Sequence, residues 1–141
     1  MAKPEYKRYV LDSFALIAYF EGESGGDLVK RLFERATKGG CELFLNVVNL
    51  GEIAYIVERE RGLSEVQETL ARIDELPISI GDVDRRLALA AAHLKARYPI
   101  AYADCFAAAL AQVKDAALVT GDPDFKSAGV DAAIPIVWLS V

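Results

Sequence analysis

Ile100 to Val113 reads IAYADCFAAALAQV, and the fold follows from it. The stretch is long enough for about three helical turns, has no glycine or proline, and is apolar nearly all round. A helix of that kind lies at the centre of a domain, covered on every side. One residue does not fit. Asp104 stands in the first turn, in line at i+3, i+4 and i+7 with Ala107, Ala108 and Ala111, so its carboxylate projects from the closely packed side. An ionised carboxylate there is costly unless something compensates, and no Lys or Arg follows within two turns. The helix dipole returns only about 0.3 to 1 kcal/mol. Taken alone, Asp104 reads equally as an acid that caps its helix; the rest of the chain supplies the reason to read it otherwise.

Downstream, Ala117 to Thr120 is a strand, and Gly121-Asp122-Pro123-Asp124-Phe125 turns into a brief helical segment. Pro135 then leads into a last strand, Ile136 to Leu139. Upstream, Asp82 is placed to cap a helix with Val83, Leu87, Ala90 and Leu94 inside, which stops before Pro99. Pro77 to Ile80 is a short strand before it. Ser64 and Gln67 have the spacing of a capping box for a helix that points Val66, Leu70 and Ile73 inward. Asn49 and Glu52 have it too, for a helix on Leu50, Ile53, Ala54 and Val57 that runs to Arg61 and closes at Gly62. Glu42 to Leu45 is a strand, preceded by a helix on Leu28, Val29, Leu32, Phe33 and Ala36 that ends at Gly39-Gly40. Nearest the N-terminus, Tyr9-Val10-Leu11 is a β-prone run ending at Asp12. Ser13 can cap the helix Phe14 to Phe20 before Gly22 to Gly26 breaks it.

Strands alternating with helices predict an α/β domain with a mostly parallel central sheet flanked by helices on both faces. Ligands of such sheets collect outside the carboxyl ends of the strands. Asp12 directly follows the first strand, Asp122 follows the fourth, Glu52 lies at the start of the helix leaving the second, and Asp104 opens a helix of the same layer. Each acid has a plain reading as a cap. Jointly, four carboxylates from four segments on one rim would repel by several kcal/mol in a partly desolvated cleft. A cation resolves that conflict.

Composition bounds the rest. The 141 residues, 53% apolar, suit one compact domain spanning residues 1–141 without a linker. No apolar run approaches a membrane span and no secretory signal is visible, so a cytoplasmic protein is expected. Cys41 and Cys105 lack metal-ligand spacing and read as small core thiols. A net charge of −5 and a pI near 4.9 argue against gripping nucleic acid by bulk electrostatics, so a polyanionic substrate would need a local basic patch and metal ions. All candidate ligands are oxygens, and the only histidine, His93, sits mid-helix away from them, which favours Mg²⁺ or Mn²⁺ over zinc. Phosphodiester hydrolysis by metal-activated water fits that donor set, and neither a Gly-rich phosphate loop nor a Ser-His-Asp or Cys-His set competes with it.

The segments YVLDSFALIAYFEGE, VNLGEIAYIV, IAYADCFAAALA and TGDPDF resemble, in order and spacing, the motifs of PIN-domain ribonucleases, most closely the VapC-like toxins of toxin–antitoxin pairs. The resemblance covers about Tyr9 to Phe125. It implies that Asp12, Glu52, Asp104 and Asp122 form an acidic metal site, with Asp124 a less regular fifth acid. Ser13 and Thr120 match supporting hydroxyl positions, and Asn49 a helix-entry position that is frequently polar. It further implies Mg²⁺-dependent endonucleolytic cleavage of RNA, homodimerisation, and inhibition by a small antitoxin whose tail enters the acidic groove. For substrate contacts the residues offer Tyr102, able to stack on a base, and the stripe Arg86, His93, Arg97; a core tyrosine and solvated arginines are the competing readings. Two alternatives stay open. One is a PIN-like module that binds RNA or protein without cutting. The other is a receiver or phosphatase-type phosphoryl-transfer domain, against which Asp12 is followed by Ser-Phe instead of a second acid two residues on.

Overall fold

The computed structural model describes residues 5–139. Five strands form one sheet: β1 (Arg8–Leu11), β2 (Glu42–Asn46), β3 (Ser79–Gly81), β4 (Ala117–Thr120) and β5 (Ile136–Trp138). Their order is β3-β2-β1-β4-β5, every pairing parallel, with Leu11 opposite Leu45 on one side and Val119 on the other. Parallel pairs need long crossovers, and helices supply them. These are α1 (Ser13–Glu21), α2 (Gly26–Thr37), α3 (Val47–Arg61), α4 (Leu63–Asp74), α5 (Arg85–Arg97), α6 (Tyr102–Lys114) and the short α7 (Asp124–Ser127).

Period-two alternation along the strands divides the core. Val10, Phe44 and Leu118 face the side covered by α5, α6 and α7. Tyr9, Leu11, Leu43, Leu45 and Val119 face the side of α1, α2, and parts of α3 and α4. Central strands buried on both faces read as continuous apolar runs, which is why β1 and β4 carry almost no polar residue. The helix α6 packs against α3, α5, β1, β2 and β4. Its Cys105 to Ala111 are all buried, the alanines letting neighbouring backbones approach closely. Cys41 and Cys105 are both buried and unpaired, as core thiols should be. Among the described residues no helix is long and apolar enough to cross a membrane.

The helix starts differ from the sequence reading. Asp12, not Ser13, caps α1: its Oδ1 accepts from Ala15 N at 2.9 Å, so Ser13 becomes the first helical residue. Asn46 caps α3 by accepting from Val48 N at 2.7 Å. Asn49 and Glu52 therefore lie within the helix and form no capping box, because α3 starts straight from the end of β2 and overrides the weak helical preference of Val47 and Val48. Gly62 precedes α4 without a side-chain cap, so Ser64 and Gln67 form no box either. Asp84 caps α5 in place of Asp82, accepting from Leu87 N at 2.8 Å. Strand β3 lies one to two residues later than read, and β5 stops at Trp138, which is half-buried. Gly25, at φ +90°, closes the α1–α2 turn where any side chain would run into Leu139.

Candidate active site at the carboxyl ends of the strands

The parallel register delivers the ends of β1 and β4 side by side, so Asp12 and the turn after Thr120 share one rim. A cleft of about 430 Å³ opens there, lined by Asp12, Glu52, Asp104, Asp122 and Asp124. The five acids singled out in the sequence thus come from four separate segments into one space. Three further acids line it: Glu21, Glu23 and Glu60. No Lys, Arg or His is among the lining residues. Helical spacing carried the signal for two of the missed acids. Glu60 follows Glu52 and Ile56 at four-residue steps, and Glu21 follows Phe14 and Ile17 on one face of α1.

Each inner acid is held by a different device. Asp12 is 2% exposed; besides capping α1 it is approached by the Thr120 hydroxyl. Thr120, itself buried, accepts from Asp122 N at 3.0 Å, and Asp122 accepts from Asp124 N at 2.9 Å, so the turn is braced from within. Phe125, fully buried, anchors its far end. Ser13 Oγ donates to Glu52 Oε1 at 2.5 Å. Asn49, completely buried, donates through Nδ2 to the same oxygen at 3.5 Å and to the Ala103 carbonyl at 3.2 Å, joining α3 to the start of α6. Asp104 is half-buried on that start.

The electrostatics record the crowding. Burial pushes Asp12 up to about 7, with Asp104 and Asp122 adding to the rise and hydrogen bonds from Thr120 and Ala15 N–H opposing it. Asp104 is likewise pushed up to about 7, first by burial and then by Asp122, Glu52 and Asp124. Two carboxyls that hold protons close to neutrality call for positive charge. The donor set, all carboxylate, suits a hard divalent cation. Among the described residues no three acidic, histidine or cysteine side chains converge closely enough to enclose an ion unaided. That arrangement suits Mg²⁺, which keeps several waters and takes one or two carboxylates together with substrate oxygens.

The other sequence candidates lie elsewhere. Tyr102 is 49% exposed, so it is not a core residue, and it stands edge-on to Phe106 without lining the cleft. Arg86, His93 and Arg97 are exposed on α5 and do not line it either.

A family model described as PIN domain matches residues 9–131. Among solved structures, the fold is similar to VapBC2 from Rickettsia felis bound to a DNA fragment from its promoter. The TM-score is 0.74 at 17% identity over 94% of this chain and 99% of that one. DNA-bound VapBC from Salmonella typhimurium matches with a TM-score of 0.73 at 14% identity over 96% and 100% of the two chains. VapC20 from Mycobacterium tuberculosis, described as a sarcin–ricin loop cleaving toxin, matches with a TM-score of 0.66 at 20% identity over 86% and 95%. No protein of curated function matches the chain by sequence.

Proposed function

The chain belongs to the PIN domain family, and from that premise we propose that it is a metal-dependent endoribonuclease, the toxin of a type II toxin–antitoxin pair. The observation that carries the reading is the gathering of Asp12, Glu52, Asp104 and Asp122 in one cleft at the carboxyl ends of parallel strands. The likeness in fold to a sarcin–ricin loop cleaving toxin supports RNA as the substrate. Asp12, Glu52, Asp104 and Asp122 would hold Mg²⁺ or Mn²⁺, with Asp124 beside them, and the ion would activate water and offset charge on the phosphate.

The protein's own part is preorganisation. Asp12 is fixed by the Ala15 N–H, so its carboxylate needs no reordering when its proton leaves. Ser13 and Asn49 spend their donors on one oxygen of Glu52, which orients the carboxylate toward the cleft as second partners orient metal ligands. The bond from Asn49 to Ala103 O fixes the spacing between the helices that carry Glu52 and Asp104. Phe14, Ile17 and Ile56 make part of the wall apolar, which lowers the local dielectric and strengthens each charge interaction.

A small antitoxin, a homodimeric toxin and action in the cytoplasm complete the proposal. The exposed Leu63 and Leu89, at 59% and 60%, supply apolar surface for association. The rival reading, a module that binds without cutting, draws on the absence of three already convergent ligands among the described residues. A phosphoryl-acceptor role has less to recommend it, because Asp12 is buried and tied to its helix. Purified protein is expected to cleave single-stranded RNA in Mg²⁺, to stop on addition of EDTA, and to lose at least about a hundredfold in rate in Asp104→Asn with unchanged circular dichroism. RNA bound by the wild type and left intact in both Mg²⁺ and Mn²⁺ would establish the silent module instead.

A further inference from the structure

Eight carboxylates line the cleft and no base does, so an RNA strand that enters it must be held from outside. The turn after β4 shows where. Its residues alternate: Asp122 and Asp124 line the cleft, whereas Gly121 and Pro123 line a second groove of about 370 Å³ on the other side, with Lys126, Ser127, Trp138 and Leu139. One wall therefore separates acids that would work on a phosphodiester from a groove that carries none. The Phe14 ring, part of the cleft, lies so close to Gly121 that a side chain there would collide with it, which keeps the wall thin.

We propose that this groove is a nucleotide subsite in which one base of a single-stranded RNA stacks on Trp138 while Lys126 pairs with an adjoining phosphate. The inference rests on the ribonuclease reading and extends it. Trp138 is half-buried, packed against the core on one side and lining the groove on the other. Lys126 is exposed and makes no ion pair among the described residues. Ser127 has its hydroxyl committed to the Pro123 carbonyl and closes the groove without competing for a phosphate. The volume falls within the range of about 300 to 1,000 Å³ usual for small-ligand sites. An aromatic platform beside a cation is the sequence-tolerant way to hold single strands.

Trp138 is the chain's one tryptophan, so its fluorescence reports the subsite directly. In an Asp104→Asn background with Mg²⁺, short oligoadenylate should quench that fluorescence, and Lys126→Ala should weaken binding about tenfold. The same substitution should lower the slope of log Kd against log salt by about 0.7, the loss of one phosphate contact on a single strand. In the otherwise wild-type chain, Lys126→Ala and Trp138→Leu should raise KM for RNA cleavage more than they lower kcat. Should Trp138→Leu not fold, Lys126→Ala still decides. Labelled oligoadenylate that binds by anisotropy without quenching Trp138, or a salt slope unmoved by Lys126→Ala, overturns the subsite and leaves the nuclease reading intact. Quenching that survives in a wild-type chain unable to cleave RNA supports the subsite and overturns the nuclease reading. No binding of the oligonucleotide at all overturns the subsite.

Discussion

Asp12 and Asp84 begin helices in almost the same way. Their backbones lie at φ −90° and ψ 179° for the first and φ −101° and ψ 179° for the second. Each accepts from the N–H three residues on, at 2.9 and 2.8 Å. Asp84 is exposed, and the bond to its helix accounts for it. Asp12 is buried at the end of a central strand, with Asp104 and Asp122 close enough to raise its proton affinity. Local capping chemistry is thus no guide to role. What separates the two acids is the strand that delivers each of them, central β1 for one and edge β3 for the other.

The comparison breaks most readily on activity. Asp12→Asn keeps the cap and removes the charge, and it should lower RNA cleavage by about a hundredfold or more, whereas Asp84→Asn should stay within about twofold of wild type. Equal losses in an initial-rate assay would mean that the two acids share a structural role.

A smaller effect concerns metal. An ion that binds only the folded state adds RT ln(1 + [L]/Kd), about 2.7 kcal/mol at a hundredfold excess. Thermal unfolding at fixed ionic strength should show that gain for wild type and Asp84→Asn, and a reduced one for Asp12→Asn and Asp104→Asn. The same response to Mg²⁺ in all four proteins would remove the physical basis for a shared site.

The third test uses pH in EDTA. Asp12 and Asp104 have folded-state pKa values raised to about 7 from 3.8, so the folded state binds more protons than the unfolded one between those values. Their contribution to stability is present below pH 3.8 and is lost as pH rises to about 7. The metal-free wild type should therefore lose melting temperature over that window more steeply than Asp12→Asn or Asp104→Asn. Above it Asp12→Asn should be the more stable protein. A wild type that melts higher than both variants at pH 8 in EDTA would contradict the mutual repulsion. Smallest of all, Asp84→Ala should cost about 1 kcal/mol, the usual loss of an N-cap.

Much of this was legible in the chain. The apolar runs at β1, β2 and β4 and the helical periodicities between them specified an α/β sheet. The rule that ligands gather at carboxyl ends pointed to Asp12 and Asp122. Asp104 declared itself as a lone charge on a helix whose alanines had to be buried. The caps were the part misread, and the reason is energetic. Asn49 and Glu52 have capping-box spacing worth about 1 kcal/mol, but the register of β2 leaves Asn46 at the strand end, where the first free N–H groups of α3 must be satisfied. Glu21 and Glu60 lie at helical spacing from Ile17 and Ile56, but spacing alone does not say whether such a face meets bulk water or a cleft, and Glu23, in the turn after α1, has no periodicity to place it.

The sequence by itself determined which segments are strands and helices, and that acids follow the central strands, because periodicity and apolar content are properties of neighbouring residues. Only the tertiary structure decided that the acids share one cleft, that Asn49 ties Glu52 to the start of α6, and that Trp138 and Lys126 flank the same wall from the other side. Those relations join positions many residues apart, and they exist only once the parallel register and the packing of α1, α3 and α6 have fixed the distances between them.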